Sequence, residues 1–177
     1  MQSVDIAVIG AGPAGAAQTV LDWPMLLEAR PVPLVTGAGA TLGNPAGTAF
    51  LEQRAEGIVS DLETPEAMGL RAVTLAAAVR VGGPWTVGAA YRHVGIGDML
   101  RTDGPPVGGA VLPFEVGEDV FALAVGTRFG PVALGAGARL DTPAEELGGE
   151  NAWAGTLGAS ASHVVRFLDV RLGGALE

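Results

Sequence analysis

Cysteine and lysine are both missing from this chain of 177 residues, so all ten of its basic residues are arginine. Without cysteine, a disulfide framework and a thiolate metal site are both excluded. Charged residues make up only 16% of the chain, whereas a soluble domain usually carries about 25%. The mean hydropathy is positive, +0.39, yet no run of about 18 uncharged apolar residues occurs, and the sequence therefore predicts no transmembrane helix.

The scarcity of positive charge also bears on partners. The net charge is −9, and the acidic residues concentrate in segments such as 61–66 and 141–150, which we interpret as links between strands. Nucleic acid requires a basic footprint, so we expect no nucleic-acid partner.

Candidates for catalysis are few. The two histidines, His93 and His163, have no acidic residue at a metal-ligand spacing, and no serine stands in a nucleophile-elbow motif. We therefore expect no enzyme activity, no catalytic residue, no metal and no cofactor.

What the chain does have is period-two alternation. Segments 70–81, 85–94, 119–128 and 132–140 each place large apolar residues on one face and small residues, ending in arginine, on the other. An apolar face toward lipid and a polar face toward a lumen are typical of transmembrane β-barrel strands, although a well-buried soluble β-sandwich would also alternate. Including a later strand at 165–176, the charged residues that we predict to face the lumen are Arg80, Arg92, Arg128, Arg139, Asp169 and Arg171.

The connections alternate in length as well. Short turns are predicted at 82–84, 129–131 and 162–164, between longer links at 63–69, 95–113 and 141–151. Outer-membrane barrels have short periplasmic turns and long external loops. The sequence therefore predicts an all-β, antiparallel up-and-down meander of about eight strands, forming a β-barrel or the open part of a larger barrel. The remaining strands are predicted at 32–40, 55–62 and 153–162.

Two interpretations of the N-terminus stay open. The run Gly10-x-Gly12-x-x-Gly15, followed by Glu28, is similar to the start of FAD-binding oxidoreductases, in which these residues would hold the dinucleotide. Residues 1–17 also have the apolar stretch and small-residue end of a secretory leader, which would leave a barrel domain at 18–177.

A family resemblance appears after the N-terminal region. The run Thr-Leu-Gly-Asn-Pro-Ala-Gly-Thr-Ala at 41–49, with Asn44, Pro45 and Gly47 at its centre, resembles a turn segment of PorV/PorQ-type, FadL-like outer-membrane barrels. Residues 91–98, followed by 101–103, resemble a strand end and loop of the same family, and residues 171–177 resemble a later strand. The resemblance implies a bacterial outer-membrane location and a porin-like transport or secretion-associated role, with outer-membrane lipid and envelope or secretion components as partners. Because family members have about twice as many strands, we expect a fragment whose edges at 32–40 and 165–176 are unpaired.

Overall fold

The computed structural model describes residues 2–5, 35–63, 69–101, 112–143, 150–165 and 168–176. These residues form one β-sheet of eight strands and two short 3₁₀ helices, so the all-β prediction is confirmed. The helices are η1 (Gly37–Leu42) and η2 (Pro45–Phe50). The strands are β1 (Gln2–Asp5), β2 (Ala55–Glu63), β3 (Leu70–Gly82), β4 (Trp85–Arg101), β5 (Leu112–Phe129), β6 (Val132–Pro143), β7 (Ala152–Val165) and β8 (Leu168–Leu176).

The sheet is an antiparallel meander, as predicted. Each strand from β2 to β8 pairs antiparallel with the next strand in sequence. Within the described residues the sheet is open, because β2 and β1 lie at opposite edges. The expectation of an unpaired edge at 165–176 is wrong, since β1 pairs parallel with β8, placing Gln2 opposite Leu168 and Asp5 opposite Arg171.

Two of the three predicted hairpin turns are confirmed. Gly83, between β3 and β4, and Gly130, between β5 and β6, have φ angles of 53° and 61°, which glycine adopts without steric cost. The predicted turn at 162–164 is wrong, because these residues continue β7 and place Ser162 opposite Arg171. The ladder pairing continues beyond Ser162, with His163 opposite Val170 and Val164 opposite Asp169.

The strands also run further toward the long links than the sequence indicates. Both ends of the predicted link 95–113 are strand, because β4 continues to Arg101 and β5 begins at Leu112. A register shift between Ile96 and Met99 marks a bulge in this extension. Backbone hydrogen bonds hold such a ladder without an apolar face, so hydrophobic alternation underestimates its length.

The predicted strand at 32–40 is wrong where the structure describes it. Gly37 has a φ of 73°, which does not fit a strand, and η1 begins at this residue. Residues 35–51, which we call the inner segment, lie across one face of the sheet and contact β2 to β7. We call the covered side of the sheet the inner face and the opposite side the outer face. The core between the inner segment and the inner face is built mainly of alanine, together with Leu51.

Candidate functional site

The inner segment packs against a row of glycines on the inner face of the sheet. Gly126, Gly135 and Gly158 are direct neighbours in register on β5, β6 and β7. A Cβ atom added at Gly135 would lie 2.4 Å from both the carbonyl carbon of Pro45 and the backbone nitrogen of Ala46. The backbone of η2 therefore approaches the sheet more closely than any side chain on β6 would allow.

Asn44 holds the start of η2 and also joins it to the sheet. The side chain is fully buried, its Oδ1 accepts a hydrogen bond from the backbone N–H of Ala46 (3.3 Å), and its Nδ2 donates to Oγ of Ser160 (2.9 Å). A buried amide that caps a helix and reaches across to a strand fixes the position of the inner segment.

The other two residues of the asparagine-proline motif pack inside the inner segment. Pro45 is the first residue of η2, where its missing N–H leaves no hydrogen bond unmade. A Cβ on Gly47 would lie 2.2 Å from the carbonyl oxygen of Val35 and 2.7 Å from Cβ of Ala40. Pro45 and Gly47 are therefore helical residues, and the glycine allows η1 and η2 to pack against each other.

Two of the predicted lumen arginines lie at the turn end of the inner face. The Arg80 guanidinium donates a hydrogen bond to the carbonyl oxygen of Leu51, at the end of the inner segment. The Arg128 guanidinium lies 4.7 Å from the centre of the Phe50 ring, and its Nε donates to the carbonyl oxygen of Gly130 at 2.7 Å. These two arginines thus contact the C-terminal end of the inner segment.

The next pair lies on the same face, toward the long links. Arg92 is buried, and Arg139 Nε lies 2.6 Å from Asp141 Oδ1 in a largely buried ion pair. Glu118 is also buried on this face, and the sequence analysis did not single it out, although the alternation of Val116, Glu118 and Val120 places it there. Burying a charge is costly, so the buried Arg92 and Glu118 make this end of the inner face the polar part of an otherwise small-residue surface.

The last two predicted lumen residues are on β8. Asp169 lies opposite Val164, and Arg171 lies opposite Ser162. The structure does not describe their side chains, so their orientation toward a lumen stays a prediction.

The outer face carries a continuous apolar band. One edge of the band is a cross-strand row containing Tyr91, Phe121 and Trp153, and the other edge, beside the turns, contains Trp85 and Phe129. Eight residues separate Phe121 from Phe129, which is about 26 Å at 3.3 Å per residue. The exposed large apolar residues on this face are Val59, Leu75, Val79, Val81, Trp85, Val87, Phe121, Leu123, Val125, Phe129, Val132, Leu134, Trp153 and Leu157.

The polar surface begins directly beyond the aromatic row. The hydroxyl of Tyr91 donates to Oδ1 of Asp119 at 2.8 Å, and His93 Nδ1 lies 2.9 Å from the same oxygen. The Tyr91 ring also packs against the Phe121 ring in a tilted arrangement, with ring centroids 5.1 Å apart. The tyrosine therefore has an apolar body in the band and a polar tip outside it, the arrangement that aromatic residues adopt at an apolar–water boundary.

The structure does not test the FAD-binding interpretation of the N-terminus. Gly10, Gly12, Gly15 and Glu28 lie outside the described residues, and only β1 represents the N-terminal 17 residues. No helix in the described ranges is long and apolar enough to cross a membrane. In the same ranges, no group of three metal-ligating side chains is arranged to hold a metal ion. Searches of protein-family models, curated proteins and solved structures found no match to this chain.

Proposed function

We propose that this chain forms the wall of a bacterial outer-membrane β-barrel and acts as a non-catalytic membrane component in porin-like transport or secretion. The observation that carries the proposal is the apolar band on the outer face, about 26 Å tall at 3.3 Å per residue and bounded by aromatic residues on both sides. Transmembrane barrels present an outward apolar band about 25 Å tall between two aromatic girdles.

The size of the band supports lipid as its partner. It extends over six strands, from β2 to β7, or about 24 Å at 4.8 Å per strand spacing, so its projected area is roughly 600 Å². The largest apolar patch on a soluble monomer is about 300–600 Å². A band at the top of that range, with Trp153 exposed to 75% and Leu157 to 64%, favours a surface that is covered in the working protein.

The inner face supports a regulated role. An antiparallel barrel wall with an open lumen would expose its small residues to water, whereas here the inner segment covers them. In this proposal the short turns face the periplasm and the longer links face outward. The inner segment then closes the described part of the lumen, and a solute or a secretion partner would have to displace it.

Two single arginine substitutions on the outer face, at different depths in the apolar band, test the proposal. Leu157, which lies opposite Ala136 midway between the aromatic edges, and Val132, next to the turn, are both exposed, to 64% and 44%. In lipid, Leu157→Arg should destabilise the protein by about 2–4 kcal/mol and Val132→Arg by about 0–1 kcal/mol, because the cost of arginine depends on its depth in the bilayer. Urea titration of protein folded into phosphocholine vesicles measures both.

The same pair separates the proposal from a soluble β-sandwich. On a surface exposed to water, both substitutions should change the free energy of unfolding by less than about 0.5 kcal/mol. Equal small effects, together with a folded protein that stays in solution without detergent, would contradict membrane insertion. A yellow preparation that releases FAD on unfolding would instead favour the oxidoreductase reading.

A further inference from the structure

A pocket at the turn end of the inner face is flanked by two arginines. It encloses about 380 Å³ and is lined by Arg80 and Arg128, with the small or backbone surfaces of Ala49, Gly83, Pro84 and Gly130 between them. Arg128 lies beside the β3–β4 turn, since its backbone N–H donates to the carbonyl oxygen of Pro84 at 3.3 Å. Two strands and the inner segment therefore bring two guanidinium groups to one opening.

Neither guanidinium is neutralised by an acidic side chain among the described residues. Arg80 contacts the Leu51 carbonyl oxygen, Arg128 contacts the Gly130 carbonyl oxygen, and the ion pairs of the described region lie elsewhere. Glu52, the acidic residue nearest in sequence to this end of the inner segment, is exposed. The pocket therefore presents two positive charges that no described carboxylate pairs with, in a chain whose net charge is −9.

The two arginines keep most of their hydrogen-bonding capacity. A guanidinium has five N–H donors in a planar fork, and the contacts above use one donor on each residue. The backbone of Arg54 also lies alongside, because its carbonyl oxygen accepts a hydrogen bond from the N–H of Arg80 at 2.9 Å. A planar fork matches the oxygen pairs of phosphate and carboxylate groups.

We propose that the pocket between Arg80 and Arg128 binds an oxyanion, a phosphate or carboxylate group, at the turn end of the sheet. The two guanidinium groups supply the charge and the donors, and the small lining residues leave room for the group. Binding does not require Arg80 to release Leu51, since its remaining donors suffice. The site does not depend on membrane insertion, so it can be tested on protein in detergent micelles whether or not the proposed function holds.

The absence of cysteine from the chain allows a single-thiol reporter. Pro84→Cys places a thiol at the exposed rim of the pocket, where the neighbouring arginines favour the reactive thiolate. Its rate of reaction with a water-soluble maleimide is measured against increasing inorganic phosphate, with chloride at matched ionic strength. We expect phosphate to slow the reaction in a saturable way and chloride to leave it unchanged.

Variants of the arginines identify the site. Arg80→Gln and Arg128→Gln should each raise the phosphate concentration for half effect by about tenfold, because each removes a charge-assisted contact. Arg71→Gln removes the same charge from a distant residue that contacts Asp61 at 3.8 Å, and it should change nothing. Arg128→Lys keeps the charge without the fork, and should fall between the parent and the glutamine variant.

Two outcomes of the phosphate and chloride series would overturn the proposal. One is an equal phosphate response in the Arg80→Gln, Arg128→Gln and Arg71→Gln variants; the other is equal slowing by chloride and phosphate. If Pro84→Cys does not fold, the thermal shift that phosphate produces in the cysteine-free variants is the second measurement, since a ligand of the folded state raises the melting temperature.

A further arm replaces inorganic phosphate by micelles containing phosphatidylglycerol. Arginine-dependent slowing by free phosphate assigns a soluble ligand, and slowing by the anionic lipid alone assigns a headgroup. No slowing by either would contradict the oxyanion site.

Discussion

Gly135→Ala tests whether the inner segment is seated as tightly as its contacts indicate. The new Cβ atom would lie 2.4 Å from the Pro45 carbonyl carbon and the Ala46 nitrogen, and 2.7 Å from the Pro45 oxygen. Non-bonded carbon atoms settle at about 3.5 Å, so the inner segment must move away from β6 by roughly 1 Å. All three contacted atoms are backbone, and no rotamer change can relieve the clash.

The expected loss in the free energy of unfolding follows from the contacts that a displacement of the inner segment would break. Forcing one extra methyl group into a packed site costs about 1–3 kcal/mol. A shift of that size would also stretch the 2.9 Å bond from Asn44 to Ser160 beyond hydrogen-bonding distance, a loss of about 0.5–1.5 kcal/mol. We therefore expect Gly135→Ala to lower the free energy of unfolding by about 2–3 kcal/mol. The midpoint of urea unfolding in micelles, followed by tryptophan fluorescence, measures this if the slope is unchanged.

Gly155→Ala is the matched control. Gly155 lies in β7, and a Cβ added there would meet nothing within 4 Å. Alanine should be neutral or stabilising at this position, since glycine in a strand interior costs about 0.5–1 kcal/mol. Equal destabilisation by the two substitutions would refute the seating of the inner segment, because η2 contacts the Cβ position of Gly135 and nothing contacts that of Gly155.

The remaining predictions concern the side-chain hydrogen bonds of Asn44 and Tyr91 and use the same urea assay. Asn44→Ala should destabilise by about 1–3 kcal/mol, because it leaves the buried N–H of Ala46 without its acceptor; Ser160→Ala, which removes only one contact of that asparagine, should cost less, and the reverse order would contradict the assigned cap. Tyr91→Phe removes the hydroxyl that donates to Asp119 and should cost about 0.5–1.5 kcal/mol, while no loss would show that this contact does not anchor the edge of the apolar band.

Alternation predicted the sheet because it reports on the two faces of each strand. Leu75 and Leu123 on the outer face and Ala76 and Ala122 on the inner face are as the sequence places them. The turns at Gly83 and Gly130 were predictable from glycine and proline for the same local reason. These features depend on neighbours within a few residues, so one sequence suffices to find them.

The conformation of the inner segment could not be predicted from local sequence patterns. Its alanines and glycines give a weak strand signal at 32–40, and only contacts with later strands, from Ala38 with Glu56 (18 residues apart) to Asn44 with Ser160 (116 residues apart), turn the segment into 3₁₀ helices packed on a sheet. The pairing of β1 with β8 is non-local in the same way. The arginines show the same dependence on non-local contacts. Alternation predicts the face on which Arg80 and Arg128 lie, but it does not predict their contacts with the inner segment.

The glycines of the inner face are explained by the inner segment that packs on them. A lumen filled with water would tolerate side chains of any size, so nothing in an open barrel requires glycine at three successive positions across β5, β6 and β7. A backbone packed against the sheet does require it, because the Cβ positions at Gly126, Gly135 and Gly158 all fall within 2.5 Å of atoms of η2 or its cap. The outer face, by contrast, carries exposed large apolar side chains such as Leu123, Trp153 and Leu157, which the described chain leaves uncovered. The chain therefore covers its inner face itself, whereas the described chain leaves the apolar outer face uncovered, and this contrast is one reason why we propose lipid as the partner of the outer face.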